Sequence, residues 1–272
     1  MQNISIWPII IIVILSSSAT GNTLSIRGEF LQGGLIVGQT KPAAVVMLDK
    51  KKIMVGTNGR FIFGFGRNAK KIWKLLVLFP NGQKLRKNLQ IRERKYRIQK
   101  IDGLPSNMVT PSKRELRRIM IEGNAIRSAR AIASGSTYFE GGFIWPLKGK
   151  ITGVYGSQRI LNGKPRKPHL GIDIAAPLGT KIVASAKGRV TLARGNLYFT
   201  GGTIVIDHGF GLSTVYSHLH KISVFKGKVV EQGQKIGEVG STGRSTGAHL
   251  DWRLNWFQER LDPILVVGGI AK

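Results

Sequence analysis

Gly201-Gly202-Thr203-Ile204-Val205-Ile206-Asp207-His208-Gly209-Phe210-Gly211-Leu212-Ser213-Thr214-Val215-Tyr216 decides the fold class. Two runs rich in β-branched residues, Thr203-Ile204-Val205-Ile206 and Ser213-Thr214-Val215-Tyr216, flank the turn signal His208-Gly209. That is the pattern of two short strands. Similar runs lie on both sides, at Ile182-Val183-Ala184, Arg189-Val190-Thr191-Leu192 and Ile236-Gly237-Glu238-Val239, separated by Lys187-Gly188 and followed by Gly240-Ser241. No strong helical periodicity intervenes, so the chain from about Phe143 onward is expected to form an antiparallel β domain.

Upstream, short apolar runs again alternate with turns. Val45-Val46-Met47-Leu48, Lys52-Ile53-Met54-Val55 and Arg60-Phe61-Ile62-Phe63 are strand-like, and Asn58-Gly59 predicts a hairpin between the last two. Lys74-Leu75-Leu76-Val77-Leu78-Phe79 precedes a second turn at Pro80-Asn81-Gly82. This spacing predicts a small β-sandwich-like domain over residues 22–103. Thr110-Pro111-Ser112 with Glu115 is a helix start, and Leu116, Ile119, Met120 and Ile126 supply an apolar stripe. A basic connecting helix is therefore expected over about 111–132, with Gly123-Asn124 as a candidate break. The expected organisation is thus mainly β: a segment 1–21, a β-rich domain 22–103, a helical linker 104–138 and a β domain 139–272.

The 272 residues carry 42 Lys and Arg against 14 Asp and Glu, a formal charge of +28 that is denser before residue 139. Such a field favours polyanions without choosing among nucleic acid, anionic lipid and acidic cell-wall polymer. The N-terminus narrows the choice. Ile6 to Leu15 is an apolar run shorter than the about 20 residues that span a bilayer, and small residues follow through Gly21. Residues 1–21 read as a secretory signal peptide, although no Lys or Arg precedes the run; an uncleaved anchor or a buried strand is the alternative. A periplasmic or secreted protein of the cell envelope does not meet chromosomal DNA, so no nucleic-acid partner is expected. The basic run from Lys84 to Lys100 could contact an anionic envelope surface, though such runs are more often solvated.

Cysteine is absent, and all five histidines fall between His169 and His249. Four of them lie in His169-Leu170-Gly171-Ile172-Asp173, His218-Leu219-His220 and His249-Leu250-Asp251. Imidazole and carboxylate are the strong metal ligands left when thiolate is missing, so this clustering points to a metal centre in the C-terminal half. On a strand, His249 and Asp251 share a face about 7 Å apart, and Tyr216, His218 and His220 likewise share one. His169 and Asp173 would lie about 13 Å apart on a straight strand. Either His169 precedes the strand, or Gly171 permits a bend.

His-x-Gly-x-Asp at 169–173, Tyr216-Ser217-His218-Leu219 and Thr246-Gly247-Ala248-His249-Leu250-Asp251 stand in the order of the lysostaphin/LytM-type zinc peptidases. Gly153-Val154-Tyr155-Gly156, Ala175-Ala176-Pro177-Leu178-Gly179-Thr180 and Asp207-His208-Gly209-Phe210-Gly211 add further matches. Residues 141–265 therefore resemble that family. The resemblance implies zinc ligands at His169 and Asp173 and catalytic histidines at His218 and His249. The family's third ligand is a histidine two residues after the second catalytic one, where this chain has Asp251. Three arrangements are open: Asp251 ligates zinc, His249 ligates with Asp251 orienting an imidazole, or the site is degenerate. Two carboxylates and one imidazole also make a bound water less acidic than two imidazoles would. His208 reads as structural and His220 as an exposed loop residue. Trp252, Trp256 and Arg253 read as a packed strand end, and Tyr155 and Arg159 as groove or hairpin residues.

The implied activity is metal-assisted hydrolysis of peptide cross-links in peptidoglycan, whose free carboxylates suit a +28 protein. One histidine would accept the proton of the attacking water, and the other would stabilise the oxyanion or protonate the leaving amine. A catalytically silent LytM-like domain that binds wall or activates another hydrolase is the first rival. An envelope protein acting through its basic N-terminal half is the second.

Overall fold

The structure, a computed structural model, describes residues 11–16 and 23–267; the rest of the expected signal segment 1–21 lies outside the described residues. Its chain divides into two compact units, Met1–Arg94 and Lys95–Lys272. The division falls before residue 103, where the sequence pattern places it. Among the described residues no helix is long and apolar enough to cross a membrane.

In the N-terminal unit, Ile11–Ser16 (β1), Thr23–Gly28 (β2), Leu35–Gln39 (β3), Val45–Leu48 (β4), Lys51–Ile53 (β5), Arg60–Gly64 (β6), Ile72–Leu78 (β7) and Lys84–Gln90 (β8) form two antiparallel sheets. Their orders are β1-β2-β3-β6 and β5-β4-β7-β8. The Pro80-Asn81-Gly82 turn joins β7 to β8 as expected, with Gly82 at φ +82°. The Asn58-Gly59 hairpin forms only next to its turn, where Gly56 N–H donates to Arg60 O at 2.7 Å and Val55 bridges Phe61 antiparallel. A tight turn is present, with Gly59 N–H donating to Gly56 O at 2.8 Å, but the strands beside it enter different sheets, β5 pairing with β4 and β6 with β3. The turn signal is local, whereas strand pairing is set by which apolar faces must be buried. Phe61, Phe63, Phe65 and Trp73 stack in succession at centroid spacings of 6.1, 5.6 and 5.5 Å, joining β6 to β7.

The C-terminal unit opens with Ile98–Ile101 (β9), the turn Ser106–Val109 (α1) and the helix Lys113–Arg130 (α2). Ser112 caps α2, its hydroxyl accepting from Glu115 N–H while Glu115 accepts from Ser112 N–H. That reciprocal cap is the one expected, and α2 runs unbroken through Gly123-Asn124. The strands that follow are Lys150–Gly153 (β10), Gln158–Leu161 (β11), Lys164–Pro165 (β12), Ile172–Ala175 (β13), Lys181–Val183 (β14), Gly188–Leu197 (β15) and Gly201–Gly209 (β16). Leu212–Ile222 (β17), Val229–Val230 (β18), Lys235–Val239 (β19), His249–Trp256 (β20) and Glu259–Leu261 (β21) complete them. The main sheet runs β10-β13-β20-β17-β16-β15-β18 and is antiparallel. A small sheet departs from that rule, β9 pairing in parallel with β11.

One face of the main sheet is the core. Ile172, Ile174, Ile204, Ile206, Tyr216 and Leu250 pack there with Trp252, all essentially inaccessible. Because successive strand residues alternate, burying Leu250, Trp252 and Leu254 forces His249, Asp251 and Arg253 onto the opposite face. Tyr216 is satisfied within the core, its hydroxyl accepting from Ser185 N–H at 2.9 Å.

His208 is structural, as expected, though it lies buried within β16 rather than at a turn. Its Nδ1 lies 2.7 Å from Lys187 O and its Nε2 2.7 Å from Thr214 Oγ1. Burial lowers its pKa from 6.5 to about 4, against the opposing pull of the Lys187 carbonyl. The unfolded chain therefore takes up a proton near pH 6.5 that the fold refuses until about 4, and stability contributed by neutral His208 is lost as pH falls through that window. The steepest loss is about 1.4 kcal/mol per pH unit. Urea unfolding of His208→Gln should show a weaker pH dependence between 6.5 and 4 than the parent chain. Identical pH dependence would contradict this account.

Candidate metal centre

Asp173 on β13 and Asp251 on β20 are direct cross-strand partners, and both are buried. Like charges directly opposite in a sheet destabilise it, and burial aggravates the cost. The surrounding groups answer that repulsion. Arg253, two residues along β20 and on the same face, donates from Nε to Asp251 Oδ1 at 2.9 Å and from Nη2 to Oδ2 at 2.5 Å. Arg159 on β11 donates to Asp173 Oδ2. Burial would raise the Asp251 carboxyl, but Arg253, followed by His169 and His218, outweighs it and holds the group well below its ordinary range. Asp173 is also lowered: burial and Asp251 push it up, while His169 and Arg159 pull it down.

His169 lies in the loop before β13, so the first of the two sequence alternatives is the one adopted. Its backbone is fixed by two hydrogen bonds to the 156–157 turn, at 2.7 and 2.8 Å. Gly171 is not a left-handed hinge. Its role is space, since a Cβ there would lie 2.5 Å from Arg253 Cγ and 2.9 Å from Asp251 Oδ1. Gly153 does the same for Asp173, whose Oδ2 would stand 2.2 Å from an added Cβ.

One atom each from His169, Asp173 and Asp251 lies within 4.8 Å of the others, the spacing of a ligand set. His169 Nε2 is 3.1 Å from Asp173 Oδ1, yet neither atom makes a hydrogen bond, and both are buried. Two orphaned lone-pair donors facing a shared point fit a metal cation. Arg253 does not exclude one, because a carboxylate has about four acceptor positions and the guanidinium makes three contacts to it.

His218 departs from the expected pattern. Tyr216 and His218 do not share a face: Tyr216 is in the core, whereas the His218 ring lies 4.7 Å from that of His249 on the site face. The reversal comes from a left-handed backbone at His218, φ +68°, after which Leu219 returns to the core. His218 Nδ1 lies 2.7 Å from Thr242 O, and His249 Nδ1 lies 2.8 Å from Gly247 O. A carbonyl only accepts, so each Nδ1 carries the proton and each neutral ring keeps Nε2 as a bare acceptor. Burial lowers the His218 pKa to about 4, with His249 adding to it and Asp251, Thr242 O and Asp173 opposing. His249 Nε2 is 3.9 Å from Asp173 Oδ1. A cleft of about 280 Å³, lined by Thr152, Asp173, His218, Arg244, Thr246 and His249, opens onto this cluster. His220 is exposed, as expected.

Sequence reasoning undervalued the two arginines. Arg253 is no simple packed strand end; its spacing from Asp251, with like parity on a strand, was the available signal. Arg159 has no such signal, because only the fold brings β11 to β13. Tyr155 is buried and donates to Arg260 O at 2.7 Å, so its part is packing.

The model of Peptidase family M23 matches residues 167–263. Peptidoglycan DD-endopeptidase ShyA of Vibrio cholerae is 47% identical over 87 residues, 32% of this chain and 20% of the relative. Peptidoglycan DD-endopeptidase ShyB of the same organism is 42% identical over 105 residues, 39% of this chain and 24% of the relative. The chain thus spans about a fifth to a quarter of the length of these curated relatives. A solved Pseudomonas aeruginosa structure assigned to peptidase M23 superposes with a TM-score of 0.67 at 25% identity, covering 88% of this chain and 96% of that one.

Removing Asp251 alone strands Arg253 as a partly buried, unpaired charge, a loss on the order of 1–3 kcal/mol. Asp251→Ala should therefore lower the denaturation midpoint sharply, and the double exchange Asp251→His with Arg253→Gln should recover most of the loss. Equal instability of the single and double variants would count against the pairing. Gly171→Ala should cost on the order of 1–3 kcal/mol by overpacking against Arg253, read in the same unfolding experiment. Cross-strand aspartates, flanking histidines and the matched segment lead to one assignment: the C-terminal half of this chain is a domain of peptidase family M23, the lysostaphin/LytM type.

Proposed function

We propose that this chain is a zinc-dependent endopeptidase that hydrolyses peptide cross-links of bacterial peptidoglycan, exported to the cell envelope by its N-terminal segment. The observation that carries the reading is the buried trio His169, Asp173 and Asp251, in which His169 Nε2 and Asp173 Oδ1 have no hydrogen-bond partner, beside two histidines whose Nδ1 atoms face backbone carbonyls. The names of the Vibrio relatives support the substrate. His169, Asp173 and Asp251 would hold the zinc, which when bound polarises a scissile carbonyl and acidifies water.

The chain's own residues do the rest. His218 and His249, fixed by carbonyls at Nδ1, present acceptors to a water or donors to a leaving amine once protonated. Burial holds His218 neutral at neutral pH, as an acceptor for the proton of an attacking water. Arg253 offsets the extra carboxylate that Asp251 introduces in place of a histidine. The positive charge that activates water is thereby kept, contrary to the simple count of ligands. That restored balance favours an active centre over the silent alternative.

Purified protein should contain about one zinc per chain and convert the cross-linked peptides of sacculi into uncross-linked ones. His218→Ala and His249→Ala should each cut turnover by about 10²-fold or more while leaving zinc content unchanged. Protein that takes up zinc but leaves sacculi intact would establish the silent reading instead.

A further inference from the structure

Beside the metal cluster, and on the same face of the sheet, lies a second cavity of about 570 Å³. Helix α2 forms one wall, and β17, β20 and the 166–169 loop form others. No Asp or Glu lines it. Arg159 and Arg253 reach it but are already committed to Asp173 and Asp251. Arg127, Arg130, Arg166, Lys167, Arg244 and Arg260 also line it, and none of these six forms an ion pair among the described residues.

Their existing partners are neutral. Arg130 is 5% exposed; it donates from Nη2 to Gln258 Oε1 at 2.7 Å and weakly from Nη1 to Asn255 Oδ1, and its buried Nε has no partner. Arg260 donates to the same Asn255 oxygen. Arg244 reaches Met108 O at 3.3 Å and stacks 4.1 Å from the Phe199 ring centre. Burial, then Arg253 and Arg127, lowers the Arg130 pKa to about 10; burial, then Arg159, Arg253 and Arg166, does the same for Arg244. A buried guanidinium without counter-charge is costly, and Arg130 is one, with Arg166, Arg244 and Arg260 partly buried around it, so a fold that gathers them has an anion to gain.

The chemistry of that anion follows from the layout. The cations sit on four separate segments, α2, the 166–167 loop, Arg244 and β21, which suits several single carboxylates better than one compact anion. Arg159, Leu161 and Arg244 line both this cavity and the cleft at His218 and His249, so a ligand here is continuous with the cluster. Guanidinium forks match planar carboxylates in pairs. We propose that this cavity is a carboxylate subsite, which grips free carboxylates of a peptide substrate while its amide lies at the metal cluster. The proposal rests on the hydrolase reading above.

Calorimetric titration of the full chain with an uncross-linked stem peptide, carboxylates free, tests it against the same peptide with those groups amidated. The free acid should bind at least tenfold more tightly, and Arg130→Gln and Arg244→Gln should each reduce that preference at least fivefold. Arg166→Gln, at a half-exposed position, gives a third variant if a buried one fails to fold. Equal binding of the two peptides overturns the proposal, as does an undiminished preference in variants with the parental melting temperature. Inorganic phosphate binding at lower concentration than the free acid also overturns it, assigning the cavity to a phosphorylated ligand. Binding of an uncross-linked peptide needs no cleavage, so sacculus digestion by the same protein reports on the hydrolase reading separately.

Discussion

Two buried carboxylates placed directly opposite each other, Asp173 and Asp251, are the constraint around which the C-terminal unit is arranged. Their repulsion would open the β13–β20 pairing if nothing offset it. Arg159 and Arg253 each take one carboxylate, and the His169 ring closes the third side. Glycines at 153 and 171 are required because Asp173 stands where a Cβ at 153 would be, and Arg253 and Asp251 where one at 171 would be. What remains unsatisfied, His169 Nε2 and Asp173 Oδ1, defines the place a cation would occupy. The site is therefore as much a solution to a folding problem as a functional device.

The histidines divide along the same physical line. His208, with both ring nitrogens bonded inside the core, contributes to stability. His218 reaches the site face only by taking a left-handed backbone, a conformation that is costly for a residue with a Cβ. A strand that followed regular alternation would have buried that ring beside Tyr216. Strain concentrated at such a residue fits a functional position, and the Thr242 carbonyl holds the ring once it is there.

Positive charge has a structure of its own in this chain. Part of the +28 lies on the surface, where it gives a general attraction to polyanions. Another part is partly or wholly buried beside His169, Asp173 and Asp251, where Arg130, Arg244 and Arg260 have only neutral partners. Composition alone reports the first kind. The second kind has a location, and so can discriminate among ligands.

The sequence by itself determined the β class, the capped helix and the membership of the histidine–aspartate set. Each of those depends on local spacing: β-branched runs between glycine turns, Ser112 with Glu115, His169 four residues from Asp173. It also located the departure from the family pattern at Asp251. Tertiary structure decided what local spacing cannot carry. The Asn58-Gly59 turn formed and one bridge closed it, but β5 and β6 went on to pair in different sheets. His218 changed face because one backbone angle reversed the alternation that sequence reasoning assumes. Above all, the charge of Asp251 was compensated only when β20 folded Arg253 beside it and β13 brought Asp173 opposite, since the balance of buried charges is a property of strand pairing and not of chain order.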